Sequence, residues 1–120
     1  MTCPFCTIKE PLLENDLALC FFDTYPVNRG HLLIIPRRHV DDYFGLSLEE
    51  KAAMDELMIK GKVYIDQHFK PDAFNIGANC GEEAGQTIFH CHIHLIPRYS
   101  GDVEKPRGGV RGVIPGKQSY

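Results

Sequence analysis

The stretch Phe89-His90-Cys91-His92-Ile93-His94-Leu95-Ile96 alternates strictly between imidazoles and apolar side chains. In an extended strand, residues two apart share a face. The pattern therefore predicts a strand from Thr87 to Ile96 with His90, His92 and His94 on one side. Cys91, Ile93 and Leu95 then face a core on the other. Three imidazoles in a row add little to packing and are costly to bury without partners, so they point to chemistry. Two chemistries fit. Imidazoles spaced His-x-His can converge on a metal ion. Alternatively, a neutral imidazole can attack phosphorus while its neighbours fix its tautomer. The spacing alone leaves both open.

Outward from this stretch, Leu17 to Asp23 (LALCFFD) is apolar and aromatic, and lies between Asn15-Asp16 and a turn containing Pro26. It reads as a strand. His31 to Ile35, opened by Asn28-Arg29-Gly30 and closed by Pro36, reads as a second, and the short connection predicts antiparallel neighbours. From Ser47 to about His68 the chain has the marks of a helix. Ser47 and Glu50 form a capping box, and Glu49 and Glu50 suit the positive end of the helix dipole. Met54, Leu57, Met58, Gly61 and Ile65 recur on one face. Ala73 to Asn79 is a weaker strand interrupted by Gly77, and Gly81 to Gly85 is a loop. The sum is an α+β fold with a mostly antiparallel sheet under one helix.

The chain has 120 residues, 43% of them hydrophobic and 24% charged, which suits one ordinary globular domain and excludes disorder or a disulfide mini-scaffold. The net charge of −3 and the pI near 6.0 argue against nucleic acid as the main partner. Residues 101–120 nevertheless carry a net +2 from Lys105, Arg107, Arg111 and Lys117 against Asp102 and Glu104. No apolar run approaches the length of a membrane helix, and no secretory leader is recognisable. Five cysteines, an odd number, then suggest free thiols in a reducing cytoplasm.

His90-Cys91-His92-Ile93-His94-Leu95-Ile96 resembles the His-φ-His-φ-His-φ-φ signature of the histidine triad superfamily of nucleotide hydrolases and transferases. The resemblance extends to Asn79, to Gly85-Gln86-Thr87, to Gly30 through Pro36 and to Phe21-Phe22-Asp23. It implies a five-stranded antiparallel sheet with one main helix, pairing with a second copy across a homodimer. The domain would span residues 1–100, with 101–120 a docked tail. His92 would attack the α-phosphorus of a purine nucleotide, such as an AMP derivative, and form a nucleotidyl-imidazole. A backbone carbonyl would hold its other ring nitrogen. His94 would donate to a phosphate oxygen or the leaving group. His31, Gln86, Thr87 and Asn79 match positions around the phosphate. Asp23 matches a ribose reader, and Phe5, Ile8, Phe21, Phe22 and Leu33 match a purine slot; core packing is the competing explanation for these apolar residues.

Cys3-Pro4-Phe5-Cys6 also resembles the redox motif of glutaredoxins, which needs a preceding strand; only Met1 and Thr2 stand before it here. The triad resemblance instead implies a structural zinc held by Cys3, Cys6, His39 and His90. Cys20, Cys80 and Cys91 read as small apolar residues inside strands. Arg107 and Arg111 are candidates to grip a polyphosphate leaving group, which favours dinucleoside polyphosphates such as diadenosine tetraphosphate. Nucleoside phosphoramidates are the alternative substrate. A nucleotide-binding or zinc-stabilised interaction protein with little turnover is the alternative function.

Overall fold

The computed structural model describes residues 3–120 and shows a five-stranded antiparallel sheet backed by one long helix. The strands are β1 (Leu13–Glu14), β2 (Ala18–Phe22), β3 (Leu32–Pro36), β4 (Ala73–Gly77) and β5 (Ile93–Arg98), and the helix is α1 (Leu48–His68). Across the sheet the order is β1-β2-β3-β5-β4. Met1 and Thr2, which precede the Cys3–Cys6 motif, lie outside the described residues. No helix is long and apolar enough to cross a membrane among the described residues.

Helix α1 starts where its capping box predicts. Ser47 accepts from the Glu50 N–H at 3.0 Å, and Glu50 accepts from the Ser47 N–H at 2.9 Å. Met54, Leu57, Gly61 and Ile65 are buried against the sheet, with Met58 at the margin. Gly61 marks the closest approach: a Cβ there would stand 3.0 Å from the Leu32 side chain. Alternation then sorts each strand between two faces. Ala18, Cys20, Leu32, Ile34 and Leu95 join the helix-side core with Cys91. Leu19, Phe21, Leu33 and Ile35 form a second cluster on the opposite face, with Phe5 and Ile8 from the N-terminal segment packed against it.

The last strand is shorter than the histidine pattern predicts, because it begins at Ile93, not Thr87. Pairing with β3 runs from Leu32 opposite Leu95 to Ile34 opposite Ile93. Two steps further, the same register would set Cys91 against Pro36, which has no N–H to give. The Cys91 N–H turns instead to the Val40 carbonyl at 2.7 Å, and the Pro36 carbonyl is met by the His90 imidazole at 2.8 Å. The alternation survives this exit from the ladder, since Cys91 stays in the helix-side core while His92 and His94 lie on the Phe5 side. Strand β4 likewise stops at Gly77, so Asn79 and Cys80 belong to the following loop and Cys80 is not a strand residue. The two-residue β1 has no counterpart in the sequence pattern.

Glu50 also anchors the segment that carries His39. Its carboxylate is 4% exposed and takes two hydrogen bonds from the Arg38 guanidinium, at 2.9 and 2.8 Å. Arg38, with help from the Ser47 N–H and against the cost of burial, holds the Glu50 carboxyl down to about 2. That stability is present above the ordinary carboxylate range and is lost as pH falls through about 2. Glu50→Ala removes the Glu50 half of the capping box and the ion pair together and is expected to cost about 2–3 kcal/mol in denaturant unfolding. Glu50→Gln keeps a capping side chain and costs less.

Candidate active site

The Phe5–Ile8 side of the sheet gathers most of the chemistry. The His92 Nδ1 lies 2.8 Å from the His90 carbonyl oxygen. A carbonyl only accepts, so Nδ1 carries the proton and Nε2 keeps its lone pair. This is the tautomer a nucleophile needs.

Beside it, a second chain of hydrogen bonds sets His94. The Val27 N–H donates to His31 Nδ1 at 3.1 Å, which leaves the proton of a neutral His31 on Nε2. That nitrogen is 2.8 Å from His94 Nδ1, so Nδ1 accepts and His94 carries its proton on Nε2. His94 is thereby a donor next to the open face of His92, with ring centroids 5.4 Å apart. Burial first, then the neighbouring His31 and His92, push the His94 imidazole down to about 4. Burial also lowers His31, opposed by Asp23. Both rings are therefore neutral near pH 7, as the hydrogen-bond chain requires.

Asp23 stands at the far end. Its Oδ1 accepts from the Tyr25 N–H at 2.9 Å, and Oδ2 lies 3.5 Å from His31 Nε2. Asp23, His31 and His94 have donor atoms within 4.8 Å of one another, the proximity a cation needs. The Val27 N–H argues against that use, because it keeps the proton on the very nitrogen of His31 that would have to bind metal.

The apolar slot is only partly as the sequence predicts. Phe5 meets Phe21 edge-to-face at 5.4 Å and His92 at 5.1 Å, and Ile8 and Leu33 complete the same cluster. Phe22 does not belong to it. Adjacent strand residues face opposite ways, so with Phe21 in the slot Phe22 packs on the helix side against Tyr64 and Phe69. Gln86 is buried, and its amide is engaged by the loop: Oε1 accepts from the Gly81 N–H, and Nε2 donates to the Asp41 and Ile88 carbonyls. Thr87 is exposed and Asn79 half-buried in the same loop region. Sequence reasoning missed Val27, because a backbone N–H acts there and no side-chain type announces it.

Cys3, Cys6, His39 and His90 form a separate cluster whose four donor atoms lie within 4.8 Å of one another. Cys3 Sγ is 3.4 Å from His90 Nδ1, and Cys6 Sγ is 3.3 Å from His39 Nδ1 and 3.5 Å from His90 Nδ1. A tetrahedral ion with bonds of about 2.0–2.3 Å separates its donors by about 3.3–3.8 Å, so the set fits. His90 is also prepared for it: donating Nε2–H to the Pro36 carbonyl leaves Nδ1 unprotonated and aimed at the thiols. These four residues could hold a metal ion.

The family model for the HIT domain matches residues 8–101. The adenylylsulfatase HINT3 of Arabidopsis thaliana is 40% identical over 106 residues, covering 83% of this chain and 54% of that protein. An AP-4-A phosphorylase of Mycobacterium tuberculosis is 34% identical over 90 residues, covering 74% of this chain and 46% of that one. Among solved structures, a Zn-bound histidine triad family protein from Mycobacterium smegmatis superposes with a TM-score of 0.75 at 31% identity, covering 84% of this chain and 78% of its own.

The lowered His94 has a thermodynamic consequence. Between about 4 and its unfolded value of 6.5 the unfolded chain binds more protons than the native one, so stability rises with pH across that window. The melting temperature is expected to fall as pH drops from 7 towards 4. A shallower slope in His94→Asn, over the same pH series of thermal melts, checks the assignment.

Proposed function

The chain belongs to the HIT family of nucleotide hydrolases and transferases, and on that footing we propose that it hydrolyses purine nucleotide derivatives at the α-phosphorus through His92. The observation that carries this reading is the His92–His90 hydrogen bond, which leaves Nε2 as a free nucleophile. His92 Nε2 attacks phosphorus and forms the P–N bond as the P–O bond to the leaving group breaks. The oxygen departs as an anion and accepts a hydrogen bond from His94 Nε2–H, which stabilises its charge. Positive charge gathers on the His92 ring, where the His90 carbonyl already faces Nδ1–H. Water then attacks phosphorus as the P–N bond breaks; His92 recovers its Nε2 lone pair and water's proton leaves with the nucleoside monophosphate. His31 sits behind His94 and holds its tautomer. Asp23 has acceptor capacity left for the ribose hydroxyls, and Phe5, Ile8, Phe21 and Leu33 offer flat apolar walls to the base. Asn79, Gln86 and Thr87 shape the loop on the phosphate side.

We favour dinucleoside polyphosphates over phosphoramidates as substrate. The tail supports this: it packs over the same sheet face as His94, with Gly109 against Asn75, and its two arginines share one ring. The Arg107 and Arg111 guanidiniums lie 4.8 and 4.7 Å from the Tyr120 ring centroid, and we assign this pair to a leaving group that carries several phosphates. Structural zinc is the metal we assign to Cys3, Cys6, His39 and His90, since two thiolates and two imidazoles are a closed tetrahedral set. It would tie the Phe5 segment to the sheet. A homodimer joined at the β4 edge accounts for the exposed Ile59, Val63 and Ile76 beside it. The setting is the cytoplasm, where the two ligand thiols stay reduced.

His92→Ala is expected to lose at least about a thousandfold in turnover of both diadenosine tetraphosphate and an adenosine phosphoramidate. Full activity in the variant would overturn the nucleophile. AMP binding without turnover in the native protein would favour the binding module. The double variant Arg107→Ala/Arg111→Ala is expected to raise KM for the polyphosphate and leave the phosphoramidate unchanged. For the metal, Cys3→Ser and Cys6→Ser should each lower bound zinc measured by elemental analysis; equal content in all three proteins would sink the four-ligand assignment.

A further inference from the structure

The His94 tautomer depends on where the Val27 N–H points, and Val27 lies in a loop with little packing of its own. Tyr25 and Val27 are 87% and 66% exposed. The loop is held by hydrogen bonds at its far end. The Asn28 side-chain amide donates to the Pro97 carbonyl at 3.1 Å and to Asp102 Oδ2 at 2.7 Å, while the Asn28 carbonyl accepts from the His31 N–H at 3.3 Å. Asp102 is itself fixed. It takes two hydrogen bonds of 2.9 Å from Arg98 and a third of 3.0 Å from the Tyr99 N–H. The Tyr99 hydroxyl in turn donates to the Arg29 carbonyl at 2.7 Å, and the Arg29 guanidinium covers its ring at 4.9 Å. Two tethers thus bind residues 28–29 to the end of β5, the strand that carries His94.

We propose that Asn28, clamped by Asp102 and the Pro97 carbonyl, is a positioning residue that aims the Val27 N–H at His31 and so keeps the proton of His94 on Nε2. Without the clamp the loop loses the nearer to Val27 of its two tethers to the end of β5 and keeps the one at Arg29. His31 Nδ1 then loses its fixed donor, and the His31–His94 hydrogen bond can reverse, moving the His94 proton to Nδ1 and leaving Nε2 an acceptor. The tautomer part of this inference stands on geometry alone; its effect on turnover rests on the reading of His94 as the hydrogen-bond donor to the leaving group.

The test is nitrogen-15 NMR of the imidazoles in the full chain at neutral pH, run on the native protein and on Asn28→Ala. The native protein should show His94 in a single Nε2–H form and His31 likewise; a native His94 protonated on Nδ1 overturns the proposal without any variant. Asn28→Ala should show mixed tautomers at both rings, and its kcat on diadenosine tetraphosphate should fall roughly ten- to hundredfold with KM little changed. Asn15→Ala supplies the control, since it breaks bonds of the same kind to the Ala53 carbonyl and to Glu56 on α1. It should lower the melting temperature and leave both tautomers as in the native protein. Unchanged tautomers in folded Asn28→Ala, or an equal disturbance in Asn15→Ala, overturn the positioning role. Mixed tautomers with undiminished kcat would support the clamp and count against His94 as the donor.

Discussion

Pro36 has a carbonyl to offer and no N–H, and the arrangement of both functional clusters follows from that asymmetry. It ends the β3–β5 ladder and leaves an acceptor at the sheet's rim, which the His90 imidazole fills. Once Nε2 of His90 is committed there, Nδ1 faces Cys3 and Cys6 as a lone pair. The same residue, released from strand geometry, presents its own carbonyl to His92. One side chain thus joins the N-terminal cysteines to the sheet while its backbone sets the tautomer of His92, the nucleophile we propose. The two clusters meet at His90, whose side chain serves one and whose carbonyl serves the other.

Neutral histidine is the other constraint. In its neutral form each of His31, His92 and His94 has one proton to place, and each placement is decided by the hydrogen-bond chain it joins. The carbonyl of His90 decides His92, and the N–H of Val27 decides His31, which decides His94. Depressed basicity at His31 and His94 keeps the scheme intact near neutrality, since an extra proton on either would turn an acceptor into a second donor.

The sequence disclosed most where side-chain type and spacing carry the information. The capping box of Ser47 and Glu50, the apolar stripe of α1, and the alternation at Cys91, Ile93 and Leu95 could all be read directly. So could the four-donor cluster, once the triad resemblance joined His39 to Cys3 and Cys6. Other features were hidden because they depend on backbone groups or on register. The start of β5 is fixed by a missing N–H on a proline 55 positions upstream of Cys91. Phe22 could not be assigned by composition, because the alternation that removes it from the slot needs the partner face to be known. Val27 contributes an N–H that every residue but proline possesses, and β1 is too short to leave a periodic trace.

Asp102 lies by composition in the basic tail, two residues beyond the expected end of the domain, yet its carboxylate belongs to β5 and to the loop before His31. Composition and connectivity therefore disagree about where the modular unit stops. A segment transplanted or truncated at residue 100 would carry all the histidines and leave behind the acid that binds Arg98 and Asn28. The hydrogen bonds that tie β5 to the loop before His31 extend to the turn at 99–102.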